Sequence, residues 1–492
     1  MPTSQPVDGA QEFGPREQLA IWLLLGSAFT VILNETIMGV ALPKLMEDLR
    51  ISAAAGQWLT TAFLLTMSVV IPVTGMLIQR LTTRTLFVTA MSLFTAGTLI
   101  SAAAPGFAVL LLGRVVQAGG TAIMMPLLMT AVVTLVPEHH RGQLMGRIAI
   151  VMSVAPALGP TVSGLILQWL DWRWLFIFVL PIAFTALVLG ILRMPNVGEQ
   201  KIARIDLLSV CISILGFGGV VYGLSAIGER ANGGETIEPA IPAFIGLVSL
   251  ALFVWRQLHL QKTDRALLDL RTFKIKPYAL SVILFVFASI ALFGSLILLP
   301  IYVQEVLGYE TLQSGLALLP GGLIMGLLGP VVGRIVDQRG ARFLLVPGMI
   351  VTAIALWGMG LFTDTTSIWQ VVATHMLLSL GLAGVFTPLF SVSLGSLPRS
   401  LASHGSAIIS TVQQVAGAAG TALFVTVMTI VAAGVGGVTG TAQALDPHAL
   451  AAGTRVAFLL GGVTATLGAV FAFFITEEKP AAESSASAPQ VH

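Results

Sequence analysis

Residues 75–84 read GMLIQRLTTR, and residues 333–342 read GRIVDQRGAR. Each is a short basic turn that opens on a glycine, and each lies between two long apolar runs. They stand 258 residues apart in a chain of 492, and neighbouring landmarks repeat at nearly the same distance. Leu42-Pro43 recurs as Leu299-Pro300 at an offset of 257. Gly120 meets Gly381, Pro137 meets Pro398 and Gly159 meets Gly420, all at 261. A three-residue insertion near positions 363–368 accounts for the drift. The chain therefore reads as two similar halves. Self-similarity at a fixed distance is the first thing to establish about a fold, because it dictates the arrangement of everything between the copies.

The apolar runs around these turns identify the solvent. Hydrophobic residues make up 56% of the chain and charged residues 10%, with 25 basic and 23 acidic side chains. A soluble domain carries about 25% charged residues. The composition excludes a soluble enzyme, a disordered protein and a nucleic-acid-binding domain. A bilayer-crossing helix needs about 20 mostly apolar residues. Fourteen such runs occur, at 18–43, 56–79, 83–104, 107–136, 143–170, 172–193, 205–228, 239–255, 277–306, 312–336, 342–362, 369–397, 403–433 and 454–476, the eighth being the shortest. They are expected to be helices, since lipid cannot satisfy an exposed backbone. Spans 1–6 match spans 9–14, and spans 7 and 8 form an insert. The expected organisation is a cytoplasmic segment at 1–17, a six-helix half at 18–200, the insert with its linkers at 201–274, a second half at 275–476 and a disordered tail at 477–492.

Lys and Arg orient the chain. With the N-terminus inside, 19 basic residues fall in inner segments and 5 in outer ones, and Arg114 lies within a span. The positive-inside bias then places both termini in the cytoplasm. The N-terminus lacks the layout of a cleaved signal peptide. The single cysteine, Cys211, excludes an internal disulfide and a multi-cysteine metal site. No phosphate-binding loop, nucleophile triad or metal-ligand cluster is present. Asn34-Glu35-Thr36 matches a glycosylation sequon but lies inside a span. Parallel halves related by an axis along the membrane normal imply a substrate site between them and alternating access by rocking.

Four motifs resemble the major facilitator superfamily, and within it the fourteen-helix drug:proton antiporters (the EmrB/QacA type, lincomycin-resistance-like branch). They are LNETIMGVALP at 33–43, the turn at 75–84, Arg114-x-x-Gln117-x-Gly119 in span 4, and the stretch 155–164 with Gly159-Pro160 and Gly164. The likeness covers nearly the whole chain, with departures. The family's Asp is Asn34 here, with the acid displaced to Glu35. Gln79 stands where the first turn should carry Asp, while the second copy keeps Asp337. Ala155 and Ser163 replace two family glycines. The resemblance implies a secondary active transporter, not an enzyme, with no cofactor beyond a proton gradient. It also implies a multi-pass protein of the bacterial inner membrane, working as a monomer on small molecules.

The candidate site residues follow from these readings. A charged carboxylate near mid-membrane costs about 2.5–3.5 kcal/mol on insertion scales, so Glu35 needs a reason to be there. Protonation turns it into a tolerable neutral group, which would let a proton and a cationic drug compete for one carboxylate. The alternative is a packing acid hydrogen-bonded to a neighbour. Asn34 points about 100° away around the helix, so only one of the two faces the cavity squarely. Arg114 is implied by the family to serve proton coupling; otherwise it hydrogen-bonds carbonyls of span 1. His375 occupies the image position of Arg114 and is either a second titratable group or a packing residue. Candidate cavity residues are Gln57, Trp58, Thr61, Gln117, Met124, Met125, Tyr302, Gln304, Gln413 and Gln414. Candidate gating residues are Gly75, Arg80, Arg84, Asp337 and Arg339 at the inner turns, and Gly159, Pro160 and Gly164 as a tight outer seal. Glu305 ends span 9 in solvent. The expected activity is proton-coupled efflux of amphiphilic or cationic compounds, including antibiotics. Export of a native metabolite or lipid is one alternative, and a non-transporting sensor another.

Overall fold

The computed structural model describes residues 14–51, 53–136, 138–196, 206–231, 237–263, 266–436 and 447–475. Among them every long element is a helix, and 14 are long and apolar enough to cross a membrane. In order these are α1 (Pro15–Leu49), α2 (Ala53–Arg80), α3 (Thr83–Ala102), α4 (Phe107–Leu135), α5 (Glu138–Trp169), α6 (Arg173–Arg193) and α7 (Leu207–Ala231). They continue as α8 (Ala240–Leu260), α9 (Lys276–Ile301), α10 (Thr311–Arg339), α11 (Arg342–Met359), α12 (Ile368–Gly395), α13 (Ala402–Gly436) and α14 (Pro447–Ala472).

Two expectations are corrected. Span 1 does not stop at Pro43: α1 runs on to Leu49 and ends at Arg50, which takes a left-handed φ of 51°. The eighth span is not the shortest, since α8 has 21 residues and α11 has 18. In both cases apolar length measures lipid thickness, whereas the helix continues through polar residues beyond it. The proposed disordered tail lies outside the described residues, as do residues 1–13 of the N-terminal segment.

Packing repeats as the sequence does. In the first half α1 packs on α5, α2 and α3 on α4, and α3 on α6. Adding eight to every label gives the second half, in which α9 packs on α13, α10 and α11 on α12, and α11 on α14. Glycines permit the close approaches. A Cβ on Gly120 would lie 2.4 Å from the Ala90 carbonyl oxygen of α3. On its image, Gly381, it would lie 2.5 Å from Thr352 Oγ1 of α11. The halves meet along two image seams, α5 with α10 and α2 with α13. Pro300 lacks an N–H, and after it α9 passes into one π-helical turn, Tyr302–Val306.

The insert lies on one seam only. α7 packs on both α2 and α13. α8 packs on α7 through Gly219 and Gly246, where an added Cβ would meet backbone at 2.8 and 2.4 Å respectively. The outer face of α8 is exposed and apolar, with Phe244, Leu247 and Trp255, as a lipid-facing surface should be.

Candidate functional site

Because the helices alternate in direction, the start of α1, the end of α14 and the basic turns share one end of the bundle, here called the basal end. The structure closes that end. Gly75 of α2 is so near α13 that an added Cβ would sit 2.9 Å from Ala407 Cβ and 3.2 Å from the Ser403 carbonyl oxygen. On the other seam a Cβ on Gly146 would lie 2.3 Å from the Gly329 carbonyl oxygen. Gly146 and Ala407 differ by 261 and so are images, whereas Gly329 lies four residues before Gly333, the image of Gly75. Gln79 Nε2 donates to Ser403 Oγ at 2.8 Å and lies 2.8 Å from His404 Nε2. Thr130 of α4 bonds Ser406 at 2.7 Å. The expected role of Gly75 at an interface between the halves fits this geometry.

The other gating candidates divide. Arg84 donates from Nη2 to the Ile191 carbonyl at 2.5 Å, which ties α3 to α6 inside the first half and reaches no partner in the second. Arg80 and Asp337 are exposed. Arg339 lies over the Phe343 ring at 5.2 Å, within the second half. At the far end, Pro160 and Gly164 do lie on the α5–α10 seam, against Gly315 and Leu312. Gly159 does not. It faces α1, where a Cβ would come 2.2 Å from Thr36 Oγ1. There it seats α1 against α5 one residue from Glu35.

Glu35 lies about 21 Å from the far end of α1, at 1.5 Å per residue. It is half-buried on α1, between Asn34 and Thr36. Asn34 takes the other direction and is buried against α4. Arg114 Nη1 donates to Asn34 Oδ1 at 3.1 Å and to Gln117 Oε1 at 3.0 Å. Gln117 Nε2 donates onward to Thr98 Oγ1 at 2.8 Å. The guanidinium stacks on Phe63, 4.1 Å from the ring centroid. So Arg114 bonds a side chain of α1 rather than its carbonyls, and Asn34, not Glu35, is the group it holds. Glu35 and Arg114 attract each other electrostatically.

His375 has no such cluster. It fits against Gly321 of α10, where an added Cβ would meet His375 Nδ1 at 2.3 Å, and this buried nitrogen has no hydrogen-bond partner. The image of Arg114 is thus a wedge between α10 and α12.

A small cavity of about 20 Å³ lies between α5 of the first half and α9, α10, α12 and α13 of the second. Its lining is Met152, Leu292, Met325, Phe386, Thr387, Phe390 and Gln413. Of the expected cavity residues only Gln413 is there. Gln117 is committed to Arg114 and Thr98. Tyr302 donates to the Thr363 carbonyl at 2.5 Å and stacks on Phe362, which ties it to the far-end loop. Trp58 pairs with Tyr222 of α7 at 5.6 Å. Thr61 and Met124 are buried in packing, and Met125, Gln304 and Gln414 are half-buried outside the lining. Gln57 lies on α2, with its side chain outside the described part. Glu305 is exposed, as expected.

The residues missed by sequence reasoning are the cavity wall and His404. The aromatic and thioether side chains of the wall are common throughout the chain and carry no positional signal. His404 is 325 residues from Gln79, and no linear pattern pairs them.

A family model, the Major Facilitator Superfamily, matches residues 24–421. The lincomycin resistance protein LmrB of Listeria innocua is 41% identical over 479 residues, 96% of this chain and 100% of that protein. LmrB of Bacillus subtilis is 39% identical, covering 93% of this chain and 95% of its own. A multidrug resistance protein B homolog of Mycobacterium tuberculosis is 29% identical, with coverages of 87% and 80%. Among solved structures, the human organic anion transporter MFSD10 aligns with a TM-score of 0.67 at 15% identity, over 93% of this chain and 100% of that one. The proton:xylose symporter XylE aligns at 0.65 and 17%, over 94% and 97%.

Proposed function

The chain belongs to the major facilitator superfamily, whose members are transporters rather than enzymes, and from that premise we propose that it is a proton-coupled exporter of amphiphilic compounds, antibiotics among them. In this reading it works as a monomer in the bacterial inner membrane, with the basal end and both termini in the cytoplasm. Lincomycin and multidrug resistance in the named relatives support the choice of cargo. The excess of basic residues at the basal turns supports the orientation.

The observation that carries proton coupling is the placement of Glu35. It is a half-buried acid within a membrane-crossing helix, one residue from an asparagine locked to Arg114. A carboxylate there is costly when charged and tolerable when neutral. A proton taken from one side and released to the other would be carried by a change in which end of the bundle is open. The closed basal end fits a conformation that faces the far side. From it a proton would enter and a compound would leave.

The test is Glu35→Gln in proteoliposomes, a near-isosteric mimic of the protonated acid. Efflux driven by an imposed pH gradient should vanish, while exchange of substrate down its own gradient survives. Full gradient-driven efflux by this variant would remove Glu35 from the coupling role.

A further inference from the structure

Residues 266–269 lead from the insert to α9, and they do not run over the surface as a connecting segment usually does. Leu267 and Leu268 are buried and belong to the apolar core. A buried backbone needs partners for its N–H groups. Here one side chain supplies them. Gln257, in the last turn of α8, accepts through Oε1 from Leu267 N at 2.7 Å and from Leu268 N at 3.3 Å. Its Nε2 donates to Ser209 Oγ of α7 at 2.9 Å. Gln257 is 0% exposed, so a single buried amide ties α7, α8 and this segment together.

The other side of the segment faces the seam between the halves. The Leu267 carbonyl oxygen lies 3.2 Å from Nδ1 of His404, in the first turn of α13. A carbonyl oxygen can only accept, so Nδ1 carries the proton, and Nε2 is turned toward the Gln79 amide of α2. The bond on one ring nitrogen fixes the tautomer and the direction of the other. Just beyond, Asp269 caps the 3₁₀ turn Leu270–Lys274 by accepting from Arg271 N at 2.9 Å. Tyr278 of α9 then donates to the Gly405 carbonyl of α13 at 2.9 Å. The segment is therefore held on both flanks of the carbonyl that it offers to His404.

We propose that Gln257 is a positioning residue for closure of the basal end. It acts through the Leu267 carbonyl, which orients His404, which receives Gln79. The insert thereby does more than face lipid: it sets how firmly the halves join on the α2–α13 seam. On the α5–α10 seam, by contrast, Gly146 packs directly on the Gly329 backbone. Loss of the Gln257 amide oxygen would free two buried N–H groups, let the segment draw back from α13 and leave His404 without its orienting partner. This role goes beyond the exporter reading and stands apart from it, since closure is measured without proton gradient or cargo.

The experiment follows opening of the seam in the full chain in lipid nanodiscs. Ser406 of α13 is 1% exposed and bonds Thr130 of α4 across the halves. Ser406→Cys in a Cys211→Ala background is thus a reporter that a water-soluble maleimide reaches when the basal end opens. Gln257→Met keeps the length of the side chain and removes the amide oxygen. It should raise the labelling rate about tenfold, the size expected when buried backbone donors lose their acceptor. Gln257→Asn withdraws the amide by one methylene and should act in the same direction, so the comparison stands even where Gln257→Met fails to fold. The second arm is a His404→Leu background, which loosens the seam by itself. There the Gln257 variants should add nothing, because the ring they position is gone. An unchanged rate in the Gln257 variants overturns the proposal. So does a rise of the same size in the His404→Leu background, which would mean that Gln257 only holds the insert together.

Discussion

Gln79 of α2 and His404 of α13 lie 2.8 Å apart, nitrogen to nitrogen, across the seam between the two halves. The contact is favourable only with complementary roles. His404 Nδ1 lies 3.2 Å from the Leu267 carbonyl oxygen, so a proton on Nδ1 satisfies that side. Nε2 is then left to accept from the Gln79 amide, a tautomer assigned from the network. In that arrangement the Gln79 amide donates to the ring, and the Asp269 carboxylate interacts electrostatically with the same histidine. Gln79→Glu keeps the shape and replaces the donor with a carboxylate. That oxygen repels the Nε2 lone pair but pairs with a protonated ring. The variant should hold the basal end shut more firmly as pH falls and the ring gains a proton, and release it as pH rises. The check is turnover against pH in proteoliposomes: a step present in Gln79→Glu and absent from Gln79→Glu/His404→Gln.

The glycine contact beside it makes a separate prediction. Gly75→Ala would bring two methyl groups to 2.9 Å on opposite helices, and α2 must move away from α13. The conformation closed at the basal end should lose population and transport should fall. Gly75→Ala/Ala407→Gly moves the methyl group from one helix to the other and should recover part of the activity, since the Ser403 carbonyl oxygen still lies 3.2 Å from the new methyl group. Gly146→Ala has no such rescue, because its obstacle is the Gly329 backbone. Labelling of single cysteines in the seam, in a Cys211→Ala background, measures the population directly.

Arg114 spans three partners at once: the Asn34 and Gln117 oxygens and the Phe63 ring. A guanidinium is planar and offers several donors, whereas an ammonium is a compact point charge. Arg114→Lys keeps the charge and loses the fork. It should lower thermal stability by about 1–3 kcal/mol, the range for a buried polar group left unsatisfied, and reduce gradient-driven efflux at least tenfold. Melting in detergent and efflux in proteoliposomes separate the two effects. Substrate exchange without a gradient should survive better than coupled efflux.

The spans were legible because lipid leaves the backbone one solution, and the repeat was legible because glycine and proline landmarks kept their spacing through duplication. Glu35 and Arg114 stood out for the same reason, as charges where charge is costly. The choice between Asn34 and Glu35 was not legible, since a 100° step on a helix says nothing about which neighbour lies on each side. Nor was the length of α1, whose last turn lies beyond the apolar run. The lining of the cavity was the least legible. Polar residues such as Gln117 and Tyr302 found partners within the protein, and the cavity went to Phe, Met and Leu side chains that any membrane span contains. Likewise, symmetry located the image of Arg114 at His375, but the polar cluster was not duplicated with it.

The insert yields the last prediction. Asp206, just before α7, accepts from Arg256 Nε at 2.8 Å and from Arg256 Nη2 at 2.8 Å, and Ser209 Oγ donates to it at 2.5 Å. Gln257 extends this network: its Nε2 donates to Ser209, and its Oε1 accepts from the backbone of Leu267, whose carbonyl faces His404. The hydrogen bond from Arg256 is the main cause that holds the Asp206 carboxyl below its ordinary value, with Ser209 adding to it and burial opposing it. A carboxylate with a lowered folded-state value stabilises the fold above its unfolded value of about 3.9 and loses that contribution as pH falls through the folded value. Asp206→Asn should therefore cost about 1–2 kcal/mol at pH 7, for a partly exposed, charge-assisted pair. The difference from the unaltered protein should shrink below pH 4 and be nearly absent once the unaltered Asp206 is protonated. Melting in detergent at pH 7 and at pH 3 measures it. A gap of equal size at both values would mean that the pair holds α7 to α8 by shape and not by charge.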